Sequence, residues 1–549
     1  MSFNEQQTRQ NVPGYESFRE ASKRRWTVAL CLASVLWAAS WAQAGSGGMH
    51  FPQYESSKPY RGSSGSRIDA LVAASLRERG LAMAPVCSDE VFVRRVYLDL
   101  IGRLPEPREI RSFLQSRLAR KRAILIDELL ARTAFADYWT LKWCDILRVK
   151  AEFPINLWPN AVQAYHRWIY TALETNMPYD RFARELLTSS GSNFRVPQVN
   201  FYRAVQGQEP ETLAAAVALT FMGARFEQWP ESRQDNMAVF FSRLAYKKTA
   251  EWKEEIVYLD PTPVDPLAVT LPDGTRVQIH RDDDPRDVFA HWLIQPENPW
   301  FARNIVNRLW AWLLGRGIIH EPDDIRPDNP PLYPDVLTCL EKELVKADYD
   351  LRHIYRLIAN SHTYQQSSIP HTDHPDAANL FACYPVRRLE AEVLIDALCW
   401  ISGTHESYSS SIPEPFSFIP EEHPSIELAD GSITSQFLET FGRPARDTGL
   451  ESERNNDPSD TQRLHLLNSS HIQEKIERSS RLRQLSKVAG GNRRVLIGSI
   501  YLNVLSRYPT QAERITAERY FQTEGINTRQ ATTDLVWALI NTKGFLYRH

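Results

Sequence analysis

Cysteine is scarce in this chain: six in 549 residues are too few for a disulfide-stapled scaffold, and no pair has C-x-x-C or C-x-x-C-H spacing. Glycine (23) and proline (34) are at ordinary fractions, which excludes collagen-like and low-complexity architectures. Neither sign of charge is in excess. With 64 Lys and Arg against 67 Asp and Glu, the net charge is −3 and there is no global positive field for non-specific nucleic-acid binding. The patterns G-x-S-x-G, H-E-x-x-H, G-x-x-x-x-G-K-[ST] and G-x-G-x-x-G are all missing, so the usual hydrolase, zincin and nucleotide signatures assign no catalytic residue. What is present is a globular composition, 43% hydrophobic and 24% charged, with length for two or more packed cores.

The first residues read as an export signal. Lys23, Arg24 and Arg25 precede an apolar run from Trp26 to Trp41, and Ala42-Gln43-Ala44 gives a small-residue cleavage pattern. The run is about 16 residues, shorter than the roughly 20 that span a bilayer, so a cleaved signal peptide over 1–44 is expected rather than a membrane span. Its removal takes away five basic and three acidic residues and leaves the exported chain at −5. The expected location is the periplasm or cell surface. Of the Cys beyond the signal, Cys144 and Cys399 lie beside Trp in helical apolar patterns, and the set reads as buried structural thiols.

Residues 45–65, rich in Gly and Ser, read as a linker. Helical periodicity then dominates 66–250, beginning with the stripe Ile68, Leu71, Val72, Leu76 and Leu81. At 251–284 the pattern becomes β-rich: Ile256-Val257-Tyr258 is one run, and Ala268-Val269-Thr270-Leu271, the turn Pro272-Asp273-Gly274, then Thr275 to Ile279 predict a hairpin. Helices resume over 285–549. The predicted fold is mainly α, two helical domains with a small β-hairpin element between them. Tyr97-Leu98, Arg103, Pro105 and Glu109 recur with identical spacing as Tyr501-Leu502, Arg507, Pro509 and Glu513, which reads as a reused helical corner.

Several segments carry a family resemblance. Arg94 to Pro105 (RRVYLDLIGRLP), Tyr138-Trp139, Lys142-Trp143 and Leu187 to Phe194 resemble the planctomycete cytochrome-associated domain PSCyt. Asn298-Pro299, Phe301-Ala302-Arg303, Val306 to Trp310, Asp323 to Arg326 and Thr363-Tyr364-Gln365 resemble its partner, the planctomycete-specific domain PSD. The resemblance covers roughly 66–549 and implies an exported protein of unknown activity. Where members of the first domain typically carry C-x-x-C-H-x-H-P, this chain runs from Met222-Gly223 through Gln228 straight into Trp229. The thiols and His that attach a c-type haem are deleted, so no cofactor is expected. Where the second domain resembles G-R-P-x-R-D followed by C-x-C-E-R, Leu450 and Ser452 replace the two Cys. These paired losses predict that the two segments face each other.

Two polar loops are the candidate ligand cleft. The first holds Asp323, Asp324, Arg326 and Asn329; the second holds Arg443, Arg446, Asp447, Glu451, Glu453 and Arg454. Such groups can bind a sugar by hydrogen bonds or pair with one another. No metal site is expected: His371-x-x-His374 lacks further ligands nearby, and Asp282-Asp283-Asp284 suits the start of a helix. Trp158, Trp229 and Trp300, at element ends, read as core or hinge packing rather than sugar platforms. The expected role is a cofactor-free binding or scaffolding protein in envelope or extracellular polymer handling, partnered by a polysaccharide or another exported protein, with no nucleic acid. The rivals are a hydrolase using the inter-domain carboxylates and a redox-associated protein with a noncovalent cofactor.

Overall fold

A computed structural model describes residues 65–262 and 266–549; the expected signal peptide and residues 45–64 of the expected linker lie outside them. The chain is mainly α, as its periodicity predicts. Helix starts are set by local chemistry. Ser66 and Asp69 form a capping box on Arg67–Glu78, Ser88 caps Asp89–Leu100, and Thr510 with Glu513 caps Gln511–Tyr520. Asp284 accepts from the Arg286 amide at 2.9 Å and pairs with its guanidinium, so the acidic run before Pro285 serves as a helix cap.

The two halves are interlocked. In the first, helix Thr133–Ile146 packs against Pro159–Glu174; in the second, Phe301–Leu314 packs against Pro334–Lys346 and Leu351–Asn360. Across them, Pro334–Lys346 lies on Arg67–Glu78, Leu351–Asn360 on Lys121–Leu130, and Arg493–Leu505 on Pro107–Gln115. One hydrophobic cluster therefore runs through both halves, with Trp139, Trp143 and Trp310 among its largest buried side chains.

The strands are few and antiparallel. The predicted hairpin is present as Leu267–Thr270 paired with Arg276–Ile279, Val269 opposite Val277. The β-rich run Ile256-Val257-Tyr258 is the centre of a second small sheet whose other strands the sequence did not mark: Leu244–Lys248 pairs with Glu255–Leu259, and Gly191–Ser192 joins the other edge of that strand. A third pair closes the molecule. Tyr547–Arg548, at the C-terminal end, bonds Arg387–Arg388 and carries Arg548 into the interior. Cys87, Cys144, Cys339 and Cys383 are buried and Cys399 half-buried, all as free thiols. Among the described residues, no helix is long and apolar enough to cross a membrane.

Candidate functional site

The two predicted loops do converge, on Asp323. This residue is 1% exposed. Its Oδ1 accepts from Arg308 Nη2 at 2.6 Å and its Oδ2 from the Glu451 backbone amide at 2.6 Å. Arg308 also donates to the carbonyls of Thr220 and Leu219, at 3.0 and 2.8 Å, and Asn304 donates to Thr220 at 2.9 Å. Those carbonyls lie in a π-helical turn, Ala218–Met222, where intrahelical pairing is irregular and outside donors are needed. Gly223 follows at φ +58; a Cβ there would stand 2.6 Å from Asn304 Oδ1, so the close approach requires glycine. Its carbonyl accepts from the Ile325 amide at 2.8 Å. The segment before Trp229 and the segment around Glu451 thus meet through one buried ion pair. Glu451 itself accepts from Trp312 Nε1 at 2.8 Å, and burial, reinforced by the charge of Asp323, raises its carboxyl above the usual range.

Arg446, Arg454 and Arg443 belong to a deeper lattice. Arg446 and Arg454 converge on Asp145, at 2.9 and 2.6 Å, and Arg454 also holds Glu392 at 2.7 Å, with Arg443 3.6 Å from the same carboxylate. Burial works against ionisation of Asp145 and Glu392, but the facing guanidinium groups outweigh it and hold both carboxyls below their usual range. The lattice continues through Glu390, which meets Lys142 at 2.9 Å and Arg548 at 2.6 Å, to Asp99, which meets Arg548 at 2.9 Å and Arg387 at 2.7 Å. Asp99 further accepts the hydroxyls of Tyr364 and Tyr384, at 2.8 and 3.0 Å. The cations outnumber the carboxylates here. Backbone carbonyls take the surplus: Val149 and Ala429 accept from Arg446, Ile433 and Asp430 from Arg443, and Leu98 from Arg548.

The remaining predicted residues serve their own loops. Arg326 lies 3.2 Å from Asp324, and Asn329 donates to the Asp324 carbonyl at 2.9 Å. Glu453 accepts from the amides of Asp447 and Thr448, at 2.8 and 3.1 Å, while Asp447 pairs with Lys150 at 2.6 Å. Asp323, Arg443, Arg446, Glu451 and Arg454 thus pack against partners of the interior, whereas Arg326 is exposed and Asp324, Asn329, Asp447 and Glu453 are half-buried in their loops, so the ten do not line one open cleft. The reason is burial: Arg446 is 0% exposed and its carboxylate partner sits on a core helix. Among the tryptophans at element ends, Trp158 meets Trp252 edge-on at 4.8 Å and Trp229 lies 4.7 Å under Arg233.

An open polar pocket of about 210 Å³ lies elsewhere on the boundary between the halves, lined by Asp137, His166, Tyr170, His423 and Glu427. Helix Thr133–Ile146 supplies Asp137; helix Pro159–Glu174 supplies His166 and Tyr170, one turn apart on one face. The short 3₁₀ turn Ser425–Glu427 supplies the far wall, and its amides at Ser425 and Ile426 are held by Asp396 at 2.7 and 3.0 Å. Arg103 Nη2 bonds both carboxylates, Asp137 at 2.9 Å and Glu427 at 2.6 Å. Burial and the charge of Glu427 push Asp137 up to about 6, and burial with the charge of Arg446 pushes His166 down to about 3, so its imidazole is neutral. No group of three or more His, Cys, Asp or Glu among the described residues is arranged to hold a metal ion.

These pocket residues come from three elements and share no motif spacing, so the sequence did not single them out. One signal was available. In the later corner Arg507 makes a two-pronged pair with Glu513, 2.7 Å at each oxygen, within its own repeat. In the earlier corner the equivalent Glu109 pairs instead with Arg132 at 2.9 Å, which leaves Arg103 to reach the pocket carboxylates.

Comparison with known families accounts for most of the chain. Residues 67–239 match the family model PSCyt2, protein of unknown function (DUF1549), and residues 285–521 match PSD1, protein of unknown function (DUF1553). No curated protein and no solved structure matches. The pocket draws Asp137, His166 and Tyr170 from the first matched region and His423 and Glu427 from the second.

Proposed function

Given a chain that belongs to the paired PSCyt2 and PSD1 families of unknown function, we propose that it is an exported, cofactor-free binding or scaffolding protein in the handling of envelope or extracellular polymer. Its ligand is taken at the pocket between the two regions. The observation that carries this reading is the division of labour among polar groups. Asp323, Glu392, Asp145 and Glu453 are engaged by donors of their own chain, whereas a general acid or base must present an oxygen to substrate. Asp137 and Glu427 also meet a donor of the chain, Arg103, but the pocket they line is open and carries donors and acceptors from both regions. The cofactor-free part rests on the sequence, which has no thiol or His between Gly223 and Trp229.

The test is retention of the purified chain on immobilised neutral, acidic and amine-bearing polysaccharides, with release of reducing ends followed in parallel. Retention on at least one polymer, weakened by Arg103→Ala and without chain cleavage, is the expected result. Cleavage would establish the hydrolase reading instead, and absence of retention on every polymer would overturn the proposal.

A further inference from the structure

The charge around the pocket is unbalanced. At the carboxylates, Asp137 and Glu427 contact one guanidinium, Arg103, and the charge of the neighbouring Glu174 also reaches Asp137; Arg446 and Arg167 act on the far wall, at His166. His423 lies 3.6 Å from Glu427, and His166 stands neutral in the wall. Tyr170 donates its hydroxyl to Glu174 at 3.2 Å and lends the pocket a ring face. The His166 ring is half-buried on the wall of the open pocket and makes no hydrogen bond within the chain, so its nitrogens are available to a ligand or to water.

Space and charge together select a ligand. At about 210 Å³ the cavity is smaller than the roughly 300–1,000 Å³ of pockets for drug-sized molecules, and suits a single ring with polar substituents. Two carboxylates sharing one guanidinium leave oxygen lone pairs free for a further donor, and a positive one gains most from the excess negative charge. We infer that the pocket between Asp137, Glu427, His166 and Tyr170 binds a sugar unit bearing a free ammonium group, the ammonium against the two carboxylates and the ring hydroxyls against His166 and Arg103. This deepens the polymer-binding reading of the same pocket and rests on it.

The inference predicts a pH dependence with a definite sign. Asp137 titrates near 6, so the attraction is full above that value and fades as the pH falls and the carboxyl takes up its proton. The charged and titratable groups that face it are Glu427, Glu174, Arg103 and His423. The probe is glucosamine, with glucose and N-acetylglucosamine as controls, measured by titration calorimetry on the full chain. Glucosamine is expected to bind about tenfold or more tightly than either control at pH 7, to weaken toward pH 5, and to lose about tenfold in Asp137→Asn and in Glu427→Gln, both of which keep the fold. Equal affinity for the three sugars would overturn the ammonium assignment and leave polymer binding standing. Amine-dependent binding that survives both substitutions would move the site elsewhere and overturn the inference. Failure of all three sugars to bind, with polymer retention intact, would overturn it as well.

Discussion

Asp137 is ionised at neutral pH against burial and the charge of Glu427, with Arg103 offsetting only part of the penalty. Its folded value, about 6, lies above the ordinary carboxylate range, so the stability it contributes is full below that range and is lost as the pH rises through 6. Asp137→Asn is therefore expected to raise the melting temperature at pH 8 and to have little effect at pH 4.5, read by thermal denaturation at the two values. Arg454 is the opposite case. It joins Asp145 and Glu392 with 5% of its side chain exposed, and its removal leaves two buried carboxylates short of a partner. Arg454→Met is expected to cost about 3–5 kcal/mol in urea denaturation, the range for breaking a buried ion pair from one side.

Elements in this chain are fixed by turns as much as by helices. Gly442 opens the G-R-P segment at φ +87, and a Cβ there would overlap the Asn455 carbonyl oxygen, whose own amide bonds the Gly442 carbonyl at 3.2 Å. Both the backbone conformation and the space demand glycine. Gly490 has a similar backbone, φ +55, with nothing within 4 Å of the added carbon. Gly442→Ala should thus destabilise well beyond the about 1–2 kcal/mol of a left-handed residue alone, and Gly490→Ala by about that amount, compared in one urea titration series. The helices themselves were legible in the sequence because their apolar period is local. The sheet of Gly191–Ser192, Leu244–Lys248 and Glu255–Leu259 was legible only at Ile256-Val257-Tyr258, because its other strands are half-buried and short and one edge strand is two residues long.

At the scale of the whole molecule, two sets of carboxylates pull stability in opposite directions with pH. Asp145, Glu390 and Glu392 are held below their usual range by facing cations that outweigh burial; their contribution is present above the ordinary carboxylate range and lost as the pH falls below it. Asp137 and Asp396, raised chiefly by burial to about 6 and about 7, contribute below that range and lose it on the way up. A scan of melting temperature should therefore peak between about pH 4.5 and 6 and fall on both sides. The same lattice ties the C-terminal end to the first half: Arg548 binds Asp99 and Glu390, and Arg95 binds the His549 carbonyl at 3.0 Å. Deleting residues 547–549 is expected to abolish cooperative unfolding, followed by circular dichroism, although only three residues of 549 are lost.

The amino-acid sequence by itself determined the helical class, the hairpin over Leu267–Ile279, the corner built twice around Arg103 and Arg507, and membership of the paired families, because each of these is written in spacings of a few residues or in motifs met in order. It brought Asp323 and Glu451 into one group for the same reason, as polar density in two loops. Only the tertiary structure decided what those groups do. Asp145 meets Arg446 and Arg454 across 301 and 309 residues, and Arg103 meets Glu427 across 324. Whether a carboxylate is spent on its own chain or left facing a cavity depends on partners brought together by packing, and no local pattern carries that information.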